Sequence, residues 1–466
     1  MQSVRLALVL AAASTVLAAP QAVSSLTSAA ASAASSVTSD AGSIVSSITS
    51  DVAKALPTVL GNWPSLSDIE KKLNLNDSEI NSLPPSALMI PSYANFTPSG
   101  WNVRFYGLVY KQPNVSTDDL DSIIDGLKTK NLNNTQKALL QNRTQALAAI
   151  PISRANVSAI VKLNGTLATP GGGIGLNTSD EVGELDEFRI IPGLNSNKSV
   201  SNVQVAEIGI LDVDGPGNTT TLLVPETGIS VVSDIDDVLR ITKVYVPNQG
   251  LFNSFVQPYV NVPGMTELFA SWLKKLPGVS FHYDTTTPVE LTRTYVEYLF
   301  DNFPLGSLEM RPVNLTEPSQ ILDARLDSLV RLYQTFPQRK FVLVGDTSSS
   351  TLLSAYPNVT QTFPNQTQCI FIRNTSATDA DDKLPYSTKE FQNLNSSMYF
   401  FYRTPEDIVN LDVANRECVN ASVPQNVSFG EQGGPFKSGA AAAWATASRS
   451  SWVAALVALA LGVTLT

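Results

Sequence analysis

Residues 231–238 read Val-Val-Ser-Asp-Ile-Asp-Asp-Val, an apolar stretch that ends in two carboxylates, Asp234 and Asp236, one residue apart. Alternate residues of a strand point the same way. Both acids can therefore face one pocket at the carboxyl end of a strand, where open α/β sheets bind ligands. Such a pair suits Mg²⁺-assisted phosphoryl transfer, with one Asp as nucleophile and the other as proton donor. Paired acids after a strand are also common in turns, so the octet alone does not decide between catalysis and a turn.

The downstream segments favour catalysis. A strand over Val279–Tyr283 runs into Asp284-Thr285-Thr286-Thr287, a row of hydroxyl donors. Arg325 lies in the helical stretch Ser319–Phe336, and the strand Phe341–Gly345 ends in Asp346. A phosphate site requires a nucleophile, hydroxyl or amide donors, a fixed cation and carboxylates for the metal. All four kinds of group occur here at strand ends or on the intervening helix.

The elements that must position them alternate. Strands are expected at Gly228–Val232, Val279–Tyr283, Phe341–Gly345, Gln368–Ile372 and Met398–Phe401, with helices at Thr266–Leu276, Val289–Asn302 and Ser319–Phe336. This rhythm predicts an α/β fold, a doubly wound parallel sheet over 227–430. Residues 62–226 read as a smaller, β-rich (α+β) accessory domain. Helices are expected there at Asp68–Leu73, Asp118–Leu127 and Thr135–Ile150, a strand at Trp101–Tyr110, and short strands from Ala159 to Val224. Gly171-Gly172-Gly173 lacks the Gly-Lys-Ser/Thr that would make it a phosphate loop, and reads as a turn.

Composition narrows the chemistry. The 466-residue chain is 43% hydrophobic and carries a net charge of −10, with no basic run longer than two residues. Hydrophobicity at this level predicts a folded core, and the charge argues against a nucleic-acid partner. The single histidine, His282, excludes a multi-histidine zinc site. Its apolar strand context favours packing over catalysis. The default reading of the two cysteines, Cys369 and Cys418, in an exported chain is one disulfide, with two buried thiols as the alternative.

Export is expected from both ends. Residues 1–18 have the basic, apolar and small-residue pattern of a secretory signal peptide cleaved after Ala18. Residues 19–61 are a Ser/Ala/Thr-rich, low-complexity stretch with an eleven-residue near-repeat, read as a disordered stalk. Residues 431–466 combine a linker, small residues, a polar spacer and an apolar tail. This is the pattern of a glycolipid (GPI) anchor signal, with Ser438 or Gly439 as the anchored residue and a tail-proximal transmembrane helix as the alternative. Seventeen Asn-X-Ser/Thr sequons, Asn76, Asn142 and Asn395 among them, fit a glycosylated cell-surface protein of the secretory pathway.

The order of the motifs resembles the haloacid-dehalogenase (HAD) superfamily of phosphatases, and more narrowly the catalytic domain of the fungal actin-patch phosphatidate phosphatase family. Four segments carry the resemblance: Val232–Val238, Phe281–Pro288, Phe303–Arg311 and Phe336–Asp346. It implies that Asp234 forms an aspartyl-phosphate and that Asp236 protonates the leaving alkoxide and then activates water. It also implies that Thr285 and Arg325 bind phosphate, and that Asp234, Asp346 and the Asp236 carbonyl hold Mg²⁺. The implied ligand is a phosphorylated lipid or small molecule. The sequence departs from the family pattern in four places. Thr347–Thr351 lacks a second acid, Arg325 replaces Lys, Asp284 adds an acid beside the phosphate position, and Thr287-Pro288-Val289 replaces Ser-Pro-Trp. These departures keep a second expectation open, a catalytically decayed, GPI-anchored surface glycoprotein with a binding or structural role. A glycosidase is disfavoured, because its two carboxyls must stand about 5 Å or more apart across a sugar bond.

Overall fold

The computed structural model describes residues 76–114, 131–194, 202–211, 213, 217–246, 248–311, 318–425, 427 and 429–433. Ala18, Ser438, Gly439, the stalk and the helices expected at 68–73 and 118–127 lie outside the described residues.

A short helix α1 (Asp77–Ser82), closed by an Asn76–Glu79 capping box, leads into the first sheet. That sheet has ten strands: β1 (Pro85–Met89), β2 (Ser92–Thr97), β3 (Gly100–Lys111), β4 (Ile150–Pro151), β5 (Ser158–Leu163), β6 (Thr166–Leu167), β7 (Ile174–Gly175), β8 (Glu184–Ile190), β9 (Gln204–Leu211) and β10 (Thr219–Val224). It is mostly antiparallel, with β10 parallel to β2. Helix α2 (Asn134–Leu147) is capped by Asn133 and ends before β4, three residues earlier than the helix read from sequence. Gly171 and Gly172 adopt positive φ with open space where a side chain would project, which agrees with the turn reading.

The second sheet is all parallel. Its strands are β11 (Ile229–Ser233), β12 (Ser280–Pro288), β13 (Gly306–Arg311), β14 (Lys340–Asp346), β15 (Thr367–Arg373) and β17 (Tyr399–Tyr402), in the order β13-β12-β11-β14-β15-β17. A two-stranded ribbon, β16 (Pro385–Ser387) with β18 (Glu431–Gly433), lies apart from it. The intervening helices are α3 (Gln249–Phe255), α4 (Met265–Lys275), α5 (Thr292–Asn302), α6 (Pro318–Thr335) and α7 (Ser350–Thr362). In chain order the strands run 3-2-1-4-5-6. The direction of winding therefore reverses between β11 and β14, and such a switch point opens a crevice at the carboxyl ends of the strands.

Burial explains why these segments are strands. Every residue of β11 and β15 is buried, as both faces of a covered parallel sheet require. Alternate residues enter different cores. Val231, Val342, Val344 and Phe371 pack with α3, α4 and α5, while Val232, Phe341, Leu343 and Ile370 pack with α6 and α7. Helix α4 buries Met265, Leu268, Phe269 and Trp272, a single helical stripe.

The first core is shared between the two sheets. Leu88, Ile90, Tyr106 and Leu108 belong to the same cluster as Val231, Phe281 and Leu308. The boundary read at 226/227 falls in the link between β10 and β11. Arg339, fully buried, clamps that link by donating to the carbonyls of Pro225, Thr227, Ile229 and Gly278 and to Ser230 Oγ. Cys369 and Cys418 form a disulfide between β15 and the segment after β17.

Candidate active site

The switch point is where the acids stand. Asp234 follows β11 directly, its N–H bonded to Val344 O of β14, and Asp346 ends β14. Asp234 is buried, with Oδ1 accepting from Ile235 N at 2.8 Å and Oδ2 accepting from Arg325 Nη1 of α6 at 3.3 Å. Burial raises its pKa; Arg325 opposes this, but the neighbouring Asp236 adds to it.

Arg325 is itself buried and its guanidinium is only partly used. Nε stands 4.0 Å from Asp284 Oδ1, beyond hydrogen-bonding distance, and Nη2 makes no hydrogen bond among the described residues. Arg325, Asp284 and Thr285 line a cavity of about 230 Å³ between the two sheets. Asp284 faces inward, accepting from Ser328 Oγ at 3.2 Å. Its burial pushes its pKa up to about 6 against the opposing charge of Arg325.

Asp236 has a different environment. Its carboxylate accepts from Arg240 Nε at 2.8 Å, Thr242 Oγ1 at 2.7 Å, Thr285 Oγ1 at 3.1 Å, Thr287 Oγ1 at 3.3 Å and the Tyr295 hydroxyl at 3.1 Å. Burial alone pushes this carboxyl up, but Arg240 and the hydroxyls outweigh it and hold the group below its ordinary range. The ionised form is the stable one here. Arg240 is in turn held by Ser254 Oγ, and its guanidinium lies 4.0 Å from the ring centroid of Tyr259, which Arg143 of α2 also approaches at 4.0 Å.

Asp346 is fully buried. Oδ1 accepts from Ser348 N at 2.6 Å and from the Ser348 hydroxyl, and Oδ2 has no hydrogen-bond partner among the described residues. Burial, then Asp234, then Asp237 hold its pKa well above the ordinary carboxylate range. An orphaned carboxylate oxygen beside two further carboxylates suits a hard divalent cation. Mg²⁺ typically takes one or two protein carboxylates together with waters and substrate phosphate. No group of three or more His, Cys, Asp or Glu side chains is gathered at metal-binding geometry among the described residues. Asp234 and Asp346 are the two side chains that would supply carboxylates to such an ion.

The sequence-predicted residues therefore do not all share one cavity wall. Thr285 and Arg325 line the 230 Å³ space; Asp234 is joined to it through Arg325 and Asp236 through Thr285; Asp346 lies among the neighbouring acids. His282 packs between Ser280 Oγ and Ser307 Oγ, and burial lowers its pKa to about 3, so it stays neutral and structural.

Sequence reasoning missed Arg240, Tyr295 and Asp237. Arg240, four residues after Asp236, was the one available signal. Asp237, at φ 56° and buried, accepts the backbone N–H groups of Thr242, Lys243 and Val244 and so shapes the loop after the acids. Also unforeseen is an ion-pair network across the seam, in which Arg104 of β3 pairs with Asp186 of β8 and Glu309 of β13, and Arg331 of α6 with Glu309 and Asp186.

Comparison with known proteins bears on this site. Residues 229–374 match the family described as phosphatidate phosphatase APP1, catalytic domain. Phosphatidate phosphatase APP1 of Saccharomyces cerevisiae is 27% identical over 197 residues, covering 41% of this chain and 33% of that protein. An uncharacterized protein of Schizosaccharomyces pombe is 24% identical over 188 residues, 38% of this chain and 28% of its own length. The chain thus spans about a third of the length of these curated relatives. The family resemblance read from the four motif segments is borne out over this stretch. Among solved structures, a sialyltransferase from Photobacterium damsela overlaps 49% of this chain and 39% of its own at 10% identity and a TM-score of 0.18, too slight to bear on fold or chemistry.

Proposed function

We propose that this chain is a phosphomonoester phosphatase, phosphatidate phosphatase-like and HAD-like in fold, that works through an aspartyl-phosphate on Asp234. One observation carries the reading. Arg325 holds the candidate nucleophile with one donor and keeps another unpaired beside a cavity that Thr285 also lines. A phosphoryl group seated there would meet a fixed cation and a hydroxyl, with the attacking carboxylate one contact away.

In the first half-reaction an Asp234 oxygen attacks phosphorus, the ester P–O bond breaks, and the alkoxide leaves with a proton. In the second, water attacks the acyl phosphate and Asp234 is regenerated. Asp236 is the proton-transfer group of this scheme. Held ionised by Arg240, it is poised as the base that deprotonates water, while only its minor protonated population serves the leaving alkoxide. Release of poorly activated alcohols is therefore favoured at acidic pH. Asp234, Asp346 and the Asp236 carbonyl would hold a Mg²⁺ ion, which would supply the charge neutralisation an anionic nucleophile needs beside an anionic phosphate.

The test is phosphate release by the purified full chain, with and without a chelator, alongside Asp234→Asn. The proposal expects release that needs Mg²⁺ and is abolished by the substitution. Release that survives Asp234→Asn moves the nucleophile elsewhere. No release from any phosphomonoester leaves the binding-glycoprotein reading.

A further inference from the structure

Helix α2 belongs to the first half of the chain, yet one of its side chains reaches the surroundings of Asp236. Its buried face is Leu140, Arg143, Thr144 and Leu147, a single helical stripe. Leu140 and Leu147 join the core shared by the two sheets, and Arg143 is buried between them. A guanidinium in such a stripe loses hydration that only close partners offset.

Those partners lie more than a hundred residues downstream. Arg143 Nη1 donates to the carbonyls of Ser254 at 2.9 Å and Gln257 at 2.7 Å, at the end of α3, where carbonyls without helical partners favour a cation. Its guanidinium also lies 4.0 Å from the ring centroid of Tyr259.

Ser254 and Tyr259 join Arg143 to Arg240. The Ser254 carbonyl accepts from Arg143 and from the Tyr259 hydroxyl at 3.2 Å, and Ser254 Oγ accepts from Arg240 Nη2 at 2.8 Å. Arg240 shares the Tyr259 ring at 4.0 Å and stands 4.9 Å from the centroid of Tyr295. Arg240 Nη1 is buried and has no hydrogen-bond partner among the described residues, so ring contacts help to hold this guanidinium in place. Tyr259 and Tyr295 meet edge to face at 6.0 Å, and the Tyr295 hydroxyl reaches both oxygens of Asp236 at 3.1 Å. Two of the groups that grip Asp236 therefore rest on one ring, and Arg143 secures that ring and its neighbour Ser254.

We infer that Arg143 is a positioning residue for Asp236: by holding Ser254 and Tyr259 it fixes Arg240 and Tyr295, and so fixes where the proton-transfer carboxylate stands. Residue 143 precedes the stretch 229–374 that matches the family, so the upstream half of the chain takes part in setting the site. The inference rests on the phosphatase reading for the work that Asp236 does.

The experiment compares four full-length chains in Mg²⁺: the parent, Arg143→Met, Arg240→Met and the double variant. Phosphatidate in detergent micelles is the substrate, and urea unfolding is followed in parallel. Methionine matches arginine in helix propensity, so α2 itself is not weakened. In Arg143→Met, kcat should fall about tenfold, less than the roughly hundredfold that a 1 Å misplacement can cost, with KM within about twofold of the parent. Arg143→Lys, which keeps a cation and donors, should recover kcat to within about threefold of the parent. In the double variant kcat should be no lower than in Arg240→Met alone, because one residue acts through the other. Should Arg143→Met not fold, Tyr259→Leu, which removes the shared half-buried ring and leaves α2 intact, takes its place in the cycle. Unchanged kcat, a rise in KM alone, no recovery with lysine, or losses that multiply in the double variant overturn the inference and leave the phosphatase reading standing. A parent that releases no phosphate removes the phosphatase reading instead. The urea midpoints then decide the linkage: a smaller loss from Arg143→Met in the Arg240→Met chain than in the parent keeps it, and equal losses overturn it.

Discussion

Asp346→Asn tests the electrostatics of the switch point. In the parent, a fully buried carboxylate has one oxygen satisfied by Ser348 and the other without a partner, beside Asp234 and Asp237. Asparagine keeps the oxygen that Ser348 engages and replaces the orphan with an amide that can donate to a neighbouring acid. Because the folded-state pKa of Asp346 is raised above that of the unfolded chain, the folded protein binds this proton more tightly. Its contribution is fully present below the unfolded value of about 3.9 and is lost as pH rises through the folded value. At about pH 8, well above the unfolded value, the metal-free parent bears the cost of this group, as a retained proton or as a buried charge; for an unsatisfied buried polar group that cost is roughly 1–3 kcal/mol and more when charged. Asp346→Asn should therefore stabilise the metal-free protein at that pH by about 2 kcal/mol, or about 4–8 °C in Tm for a cooperative unit of 150–250 residues. The gain should vanish near pH 3.5, below the unfolded value. Saturating Mg²⁺ should reverse the order, since an ion at a hundred times its Kd adds about 2.7 kcal/mol to the parent and the variant has lost a ligand. Thermal and urea unfolding with chelator or Mg²⁺ at both pH values reads this directly. A variant no more stable than the parent in chelator at pH 8, with an undiminished response to Mg²⁺, would refute both the uncompensated charge and the ligand role.

Three further outcomes rest on named contacts. Arg240→Met removes the cation that holds Asp236 ionised, so the Asp236 pKa should rise and the protonated form should persist to higher pH; a pH–rate profile whose acid limb stays in place would reject that link. Replacing Cys369 and Cys418 with Ser opens a loop spanning 49 residues and should cost about 4 kcal/mol on the chain-entropy model, measured by urea unfolding. Arg339→Met leaves four backbone carbonyls without their shared donor, and should destabilise by about 3 kcal/mol or more while leaving kcat per folded molecule unchanged; loss of kcat at full stability would give Arg339 a catalytic part instead.

The parallel sheet was readable because its strands are short apolar runs between turn signals. β11, β14, β15 and β17 match the expected strands to within about one residue at either end. β12 starts where expected but runs on to Pro288: Asp284 pairs with Glu309 and Pro288 with Arg311 of β13, with a register shift across the hydroxyl row between them. The sixth strand, β13, was not read as one. Gly306 and the charged Glu309 and Arg311 interrupt its apolar pattern, and Glu309 is there to meet Arg104, 205 residues earlier. Helix α7 also escaped, because Pro357 sits inside it and Ser350 and Thr351 begin it. At the site, the acids and Arg325 were marked by motif spacing. The environment that sets their protonation was not, because Tyr295 reaches Asp236 across 59 residues. Asp284, read from sequence only as an added acid beside the phosphate position, turns inward, where Ser328 and Arg325 of α6 offer it a donor and a charge.

The core shared by the two sheets sets a practical limit on dissection. Leu88, Ile90, Tyr106 and Leu108 cover apolar surface that Phe281 and Leu308 would otherwise show to water. A gene fragment cut to the family boundaries, 229–374, would expose that oily face and would also lose Cys418, the bonding partner of Cys369. Such a fragment should collect in inclusion bodies, whereas chains that retain the upstream β-rich half should melt in one step.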